Sequence, residues 1–203
     1  MKLGLIVEGH GEVAALPVLL RRLASELLEI SEQLEIPSPL RLSKGKMKDP
    51  SELRRAVELM ARKTNPDGAI LVLLDADDEC PAVLGPELLK HVHAARGDRS
   101  TSVVVANREY ESWFIAGASG LRGYRGLPDD LLPAPNAEQI RNAKGWIDER
   151  MANGYHETTD QPKLSSRFDL REALKSDSFS KLHRDIRGFI AGLAGPETGN
   201  ENV

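Results

Sequence analysis

A single cysteine in 203 residues removes intramolecular disulfides from consideration. That scarcity fits a reducing, cytoplasmic compartment. Cys80 is also badly placed as a nucleophile, because the acidic run Asp75-Ala76-Asp77-Asp78-Glu79 directly before it disfavours a thiolate. Long apolar runs are missing too. None approaches the roughly 20 residues that a membrane span needs, and the Met-Lys start leads straight into a strand pattern without a signal-peptide profile. There is no internal repeat. Excess positive charge is absent as well, and a net charge of −4 does not advertise nucleic-acid binding. What remains, 40% hydrophobic and 29% charged residues, is the balance of a soluble globular chain long enough to bury a core.

Local charge says more than the total. Between Arg41 and Lys63 eight basic residues face three acidic ones, a net of +5. Lys44, Lys46, Lys48, Arg54 and Arg55 are the candidates there for tracking phosphates. A solvated helix face behind a lysine loop explains the same stretch, and the sequence leaves both readings open.

The first ~115 residues alternate strand and helix patterns, the signature of an α/β fold with a mostly parallel sheet flanked by helices. Strands are expected at Lys2–Val7, Leu40–Leu42, Ala69–Leu74 and Thr101–Ala106. Helices are expected at Ala14–Glu29, with Pro17 in its first turn, at Asp49–Thr64 behind an Asp-Pro start, and at Pro86–Ala95. Ser43–Lys48 reads as a loop and Asn65–Gly68 as a turn. Beyond Asn107 the pattern becomes helical, with a short helix near Glu109–Ala116 and further helices at Ala137–Met151, Ser166–Leu174 and Ser178–Leu193. The tail from Gly195 is expected to fray. The natural division is an α/β core over 1–117 and a C-terminal helical extension over 118–203 packed on it.

Chemistry concentrates where strands end. Glu8 follows the first strand; Asp75 and Asp77 follow the third, one residue apart and so on one side. Ligands of open α/β sheets collect outside the carboxyl ends of strands. Several anions in one such crevice repel and call for a cation, and hard oxygens without thiolates favour Mg²⁺ or Mn²⁺. Taken singly, acids at strand ends and first helical turns are what capping and dipoles select; together, three of them argue for metal. Glu12 could face the same pocket, and Glu109 and Glu111 would extend it if the Thr101–Ala106 strand is adjacent. Two ions held by such carboxylates suit phosphodiester cleavage. Glu8 would be a ligand or the general base, and Lys163 could neutralise charge on a phosphoryl group. Trp113 and Phe114 read as packing anchors, and the serines around Phe179 as helix caps. Gly9-His10-Gly11-Glu12-Val13-Ala14 is a poor dinucleotide signal, since Glu8 before it would repel a pyrophosphate unless a metal intervened.

The acidic residue after strand one and the Asp75-Ala76-Asp77 pattern resemble the TOPRIM domain, and the Glu8-Gly9-x-x-Glu12 spacing looks more like its OLD-nuclease branch than the topoisomerases. More of the chain resembles a bacterial domain-of-unknown-function family, DUF4276. The segments are Val7-Glu8-Gly9, Leu74-Asp75-Ala76-Asp77-Asp78, Arg108-Glu109-Tyr110-Glu111-Ser112-Trp113-Phe114 and Ser178-Phe179-Ser180-Lys181-Leu182. The resemblance implies a Rossmann-like TOPRIM core with metal at the acidic cluster. It also implies company with an ABC-type ATPase and a role in phage defence. No Walker A motif is present, so that ATPase would be a separate polypeptide, and with no recognisable topoisomerase tyrosine the expected chemistry is hydrolysis by water. The leading expectation is a Mg²⁺- or Mn²⁺-dependent nuclease subunit acting on nucleic acid, DNA first, with a homodimer left open. The alternatives are a nucleotide phosphohydrolase and a non-catalytic interaction module of an ATPase complex.

Overall fold

Four parallel strands, β1 (Leu3–Val7), β2 (Leu40–Arg41), β3 (Ala69–Asp75) and β4 (Thr101–Ala106), form one sheet in the order β2-β1-β3-β4. The computed structural model describes residues 2–30, 34–64 and 66–193. From β1 the chain runs outward to β2, then crosses back to β3 on the other side of β1. The winding therefore reverses between β1 and β3, and crevices of open α/β sheets form at such a reversal.

The apolar strands are continuous because both sheet faces are covered. Alternate side chains divide between two cores. Ile6, Ile70, Val72, Leu74, Val103 and Val105 pack under α3 (Pro50–Lys63) and α4 (Pro81–Arg96). Leu3, Leu5, Val7, Leu71, Leu73 and Val104 pack under α1 (His10–Arg22, prolonged by a π-helical turn at Leu23–Leu27) and under the C-terminal region. That region contributes α5 (Ser112–Ala116), α6 (Ala143–Asp148), α7 (Glu157–Ser165), α8 (Leu170–Ala173) and α9 (Asp177–Leu193), with 3₁₀ turns at Ala118–Leu121, Tyr124–Gly126 and Ala137–Gln139. Trp113 and Phe114 are fully buried with Tyr110, Phe168 and Phe179. Their ring centroids lie 4.8–5.7 Å apart in tilted and edge-on pairs. This aromatic knot joins the exit of β4 to α7–α9, so the stretch expected as an extension shares one core with the sheet.

Several local expectations are corrected. Helix α1 starts four residues before Ala14, because the Glu12 carboxylate accepts from the N–H groups of Glu8 and Gly9, both at 3.0 Å, and ties down its first turn. Pro17 consequently lies inside the helix, where burial of that face outweighs the lost hydrogen bond. Lys44–Met47 is a helical turn (α2) rather than a loop, anchored by fully buried Met47. Helix α4 begins at Pro81, its favoured first position, and not at Pro86. The expected helix over Ala137–Met151 breaks at Asn142, whose side chain accepts from Gly145 N at 2.9 Å and starts α6 afresh. Thr158–Leu164 lies within α7. The helix expected over Ser166–Leu174 shrinks to α8 behind an Asp169 cap. The start of α9 is tied down by Glu138, which accepts from the N–H groups of Asp177 and Ser178. Asn65 of the expected turn, and the tail from Gly195, lie outside the described residues. Among the described residues no helix is long and apolar enough to cross a membrane.

Candidate functional site

Glu8 and Asp75 stand on either side of the reversal point. Register pairs Val7 with Leu73 and Asp75 with Ala106, so both acids leave the sheet at its carboxyl edge. Their contact is direct: Asp75 N–H donates to Glu8 Oε2 at 3.3 Å. The β4 exit completes the rim. Tyr110 N–H donates to Asp75 Oδ1 at 2.8 Å, and fully buried Glu111 lies beside it. Glu12 is 3% exposed and points its carboxylate back at the first turn of α1. Glu8, Glu12, Asp75 and Glu111 thus form one acidic cluster at that edge.

Electrostatics records the crowding. Burial pushes Glu8 above the usual carboxylate range, against the Asp75 N–H and the Lys44 charge. Burial, partly opposed by the Gly9 N–H and reinforced by the charges of Glu111 and Glu8, raises Glu12 to about 7. Asp75 is pushed well up by burial, then by Glu12 and Glu111. Glu111 is raised by burial, with Lys144 and Tyr155 resisting.

The cation in this cluster is Lys144, from α6. Its Nζ lies 3.3 Å from Glu111 Oε2 and 3.6 Å from Asp75 Oδ2. Burial would lower its pKa, but Glu111 and Asp75 outweigh that and hold it up. Glu109 sits at the rim, where it accepts from Lys144 N at 2.9 Å and so anchors the first turn of α6. Helix α7 forms the remaining wall. Gln161 Nε2 and Tyr155 OH donate to Glu111 Oε1 at 3.2 and 2.7 Å, while Glu157 Oε1 accepts from Gly11 N at 3.2 Å. Gly11 permits this approach, since a Cβ there would stand 2.3 Å from Gln161 Oε1.

Asp77 is separate. Its side chain is 62% exposed at the mouth and paired to Lys44 at 2.7 Å. Its φ of 52° is left-handed, as is that of Arg108 at 66°. Such strain gathers at functional sites. Lys163 is corrected: it is exposed, two residues and about 200° around α7 from inward-facing Gln161, so the cluster's lysine is Lys144 instead. Of the basic candidates, Lys44 and Lys48 are bound to Asp77 and Glu79, and Arg55 pairs with Glu52. Lys46 and Arg54 are exposed.

Divalent cations fit this donor set in kind. The acceptors gathered there are hard oxygens; the buried Gln161 Oε1 accepts no hydrogen bond, and Glu111 Oε2 is met only by the Lys144 charge. The arrangement is not yet that of a coordination sphere: among the described residues no three His, Cys, Asp or Glu side chains are grouped to hold an ion. The oxygens are turned to backbone N–H groups and to lysines.

Lys144, Tyr155, Glu157 and Gln161 were not among the expected site residues. Glu157, Gln161 and Leu164 repeat at i, i+4 and i+7, the helical signal that could have found α7, but Pro162 interrupts it. A family model described as Domain of unknown function (DUF4276) matches residues 7–187. No curated protein and no solved structure matches the chain.

Proposed function

Because the chain belongs to the DUF4276 family, whose activity is unassigned, its function must be argued from the site, and we propose that it is a Mg²⁺- or Mn²⁺-dependent nuclease subunit cleaving phosphodiester bonds. One observation carries this reading: Glu8, Glu12, Asp75 and Glu111 are gathered, mostly buried, at the strand reversal with Lys144 as their inner counter-charge. A cluster that raises its own carboxyl pKa values gains most from a cation of higher charge. Asp75, Glu8 and Glu111 would hold the metal, with Glu12 and Asp77 contributing from the flanks. When bound, the ion supplies Lewis-acid polarisation of a phosphoryl oxygen and activates water. Lys144 then faces the scissile phosphate and neutralises its growing charge, Glu8 accepts the proton of the attacking water, and exposed Lys46 and Arg54 carry the flanking backbone. The likeness to TOPRIM and OLD-type nucleases fits this division of roles and suggests a separate ABC-type ATPase as partner.

A second reading rests on Lys144 itself, which already neutralises Asp75 and Glu111. A cluster satisfied by its own lysine suits a non-catalytic module that acts through an ATPase. Plasmid nicking with Mn²⁺ separates the two. We expect wild-type turnover that weakens steeply with salt and is abolished in Asp75→Ala. Equal activity in both proteins removes the assignment, and metal binding without turnover selects the module.

A further inference from the structure

The free edge of the sheet is recessed and unpaired. In the order β2-β1-β3-β4, only one side of β4 meets a strand. Ser100 O and Ala106 O accept from Ile70 N and Ala76 N at 2.9 and 2.8 Å, so even-numbered positions along β4 turn their backbone groups to β3. The N–H and C=O groups of Thr101, Val103 and Val105 therefore point away from the sheet. Asn107, next in that series, donates its N–H to Ser178 Oγ at 3.2 Å, but among the described residues nothing meets the outward groups of Val103 or Val105. These two valines are only 2% and 3% exposed. Backbone groups withdrawn from water without a partner are costly, and a bare strand edge is a template for another strand.

The recess is a continuous groove. One lobe, of about 570 Å³, runs beside Val103 and Val105, and a second, of about 370 Å³, continues it beside Ser100, Thr101 and Ser102. Helix α4 walls the groove on one face of the sheet with Pro81, Ala82, Pro86 and Leu89, and α9 walls it on the other with Lys181 and Arg184. Lys181 is already paired with Asp185. Arg184 is exposed and, among the described residues, has no ion pair and only a 3.4 Å bond to Ser180 Oγ.

We propose that this groove takes one extended segment of a partner polypeptide, which adds a fifth strand beside β4 and alternates small apolar side chains with acidic ones. The alternation follows from the walls. Successive side chains of an added strand face opposite sides of the sheet, here the apolar flank of α4 and then Arg184 on α9. A second folded copy does not fit. Its own β4 would lie equally deep between its own helices, and the rims would meet before the two edges approached to the ~4.8 Å of a strand pair. The inference stands independently of the metal-dependent reading above.

Fluorescence anisotropy on the full chain tests this, with the labelled peptide Ser-Val-Glu-Val-Glu-Val-Ser as the probe. Binding should saturate. Only one alternate set of peptide nitrogens can face β4, so N-methylating either the valine set or the glutamate set should weaken binding at least about tenfold, and the other set less than about threefold. Arg184→Glu should weaken the acidic peptide about fivefold and favour a version with lysine in place of both glutamates. Ala82→Trp, at an exposed position on the apolar wall, should abolish binding. Failure of the acidic peptide to bind wild type overturns the proposal. So does binding that both methylated sets weaken alike, or that survives Ala82→Trp, since the peptide is then not paired in the groove. Sedimentation of the chain alone should show a monomer. A dimer that Ala82→Trp dissociates would assign the groove to a second copy and overturn the proposal too.

Discussion

Stability of the metal-free protein should fall as pH rises from about 5 to about 8, contrary to the usual behaviour of paired carboxylates. Glu12 titrates near 4.5 when unfolded and at about 7 in the fold, where burial and the charges of Glu111 and Glu8 oppose ionisation. Between those values the folded state binds more protons than the unfolded chain, so each added pH unit favours unfolding. The gap corresponds to roughly 3 kcal/mol, shared among Glu12, Asp75 and Glu111 because they repel one another. The other shifted groups do not cancel it. Asp49, Glu79 and Asp98 are lowered by their hydrogen-bond partners, so their contributions are complete before this window opens. Lys44 and Lys144 are raised and lose theirs only above it. His183, lowered by burial and by neighbouring Arg187 and Arg184, acts in the opposite direction but is part-exposed and screened. Urea unfolding in the presence of chelator should therefore show a midpoint about 1–1.5 M lower at the alkaline end, for a slope of about 2–3 kcal/mol per molar. Glu12→Gln keeps an acceptor for the Glu8 and Gly9 N–H groups and should lose most of the trend, while saturating Mn²⁺ should flatten it in wild type. A wild-type midpoint that is level or rises with pH would refute the reasoning, as would an unchanged slope in Glu12→Gln.

Two further outcomes follow from the walls of the site. Gly11→Ala places a methyl 2.3 Å from Gln161 Oε1 and 2.8 Å from Glu157 Cγ and O; thermal melting should drop by about 4–12 °C for roughly 2–3 kcal/mol of strain, and an unchanged melting point would mean that α7 does not seat on the first turn of α1. Lys144→Met should reduce Mn²⁺-dependent nicking at least about tenfold, since it strips the charge facing the phosphate, whereas Lys163→Met should stay near wild type; the reverse order would return the role to Lys163.

What could be read from the chain was set by range. Glu8 and Asp75 were legible because each ends an apolar run, and a strand end is a local signal that also fixes position in a parallel sheet. Glu111 was legible only conditionally, through the adjacency of β4 to β3, which the sheet order supplies. Lys144 and Gln161 were hidden. They lie on short helices whose limits are set by an Asn142 cap, by an interior proline and by packing on residues over a hundred positions earlier. Asp77 was legible as an acid but not in its direction, because alternation put it on the side of Asp75. Its left-handed backbone, coupled to Arg108, turns it outward to Lys44. Propensity misjudged Pro17, which is buried, and Pro86, which is exposed, for a similar reason: a helix held down by its packed face tolerates a proline that an isolated helix would not.

The aromatic knot beneath the site has a consequence for how the molecule fails. Phe168 and Phe179, from the last third, pack on Phe114 and Trp113, which in turn hold Tyr110, whose own N–H steers Asp75. Shortening the polypeptide at the end of β4 would leave the strands without a lid on one side and Asp75 without its guide. A clipped or half-melted molecule therefore has no assembled centre, and any cutting activity it carries is confined to intact copies.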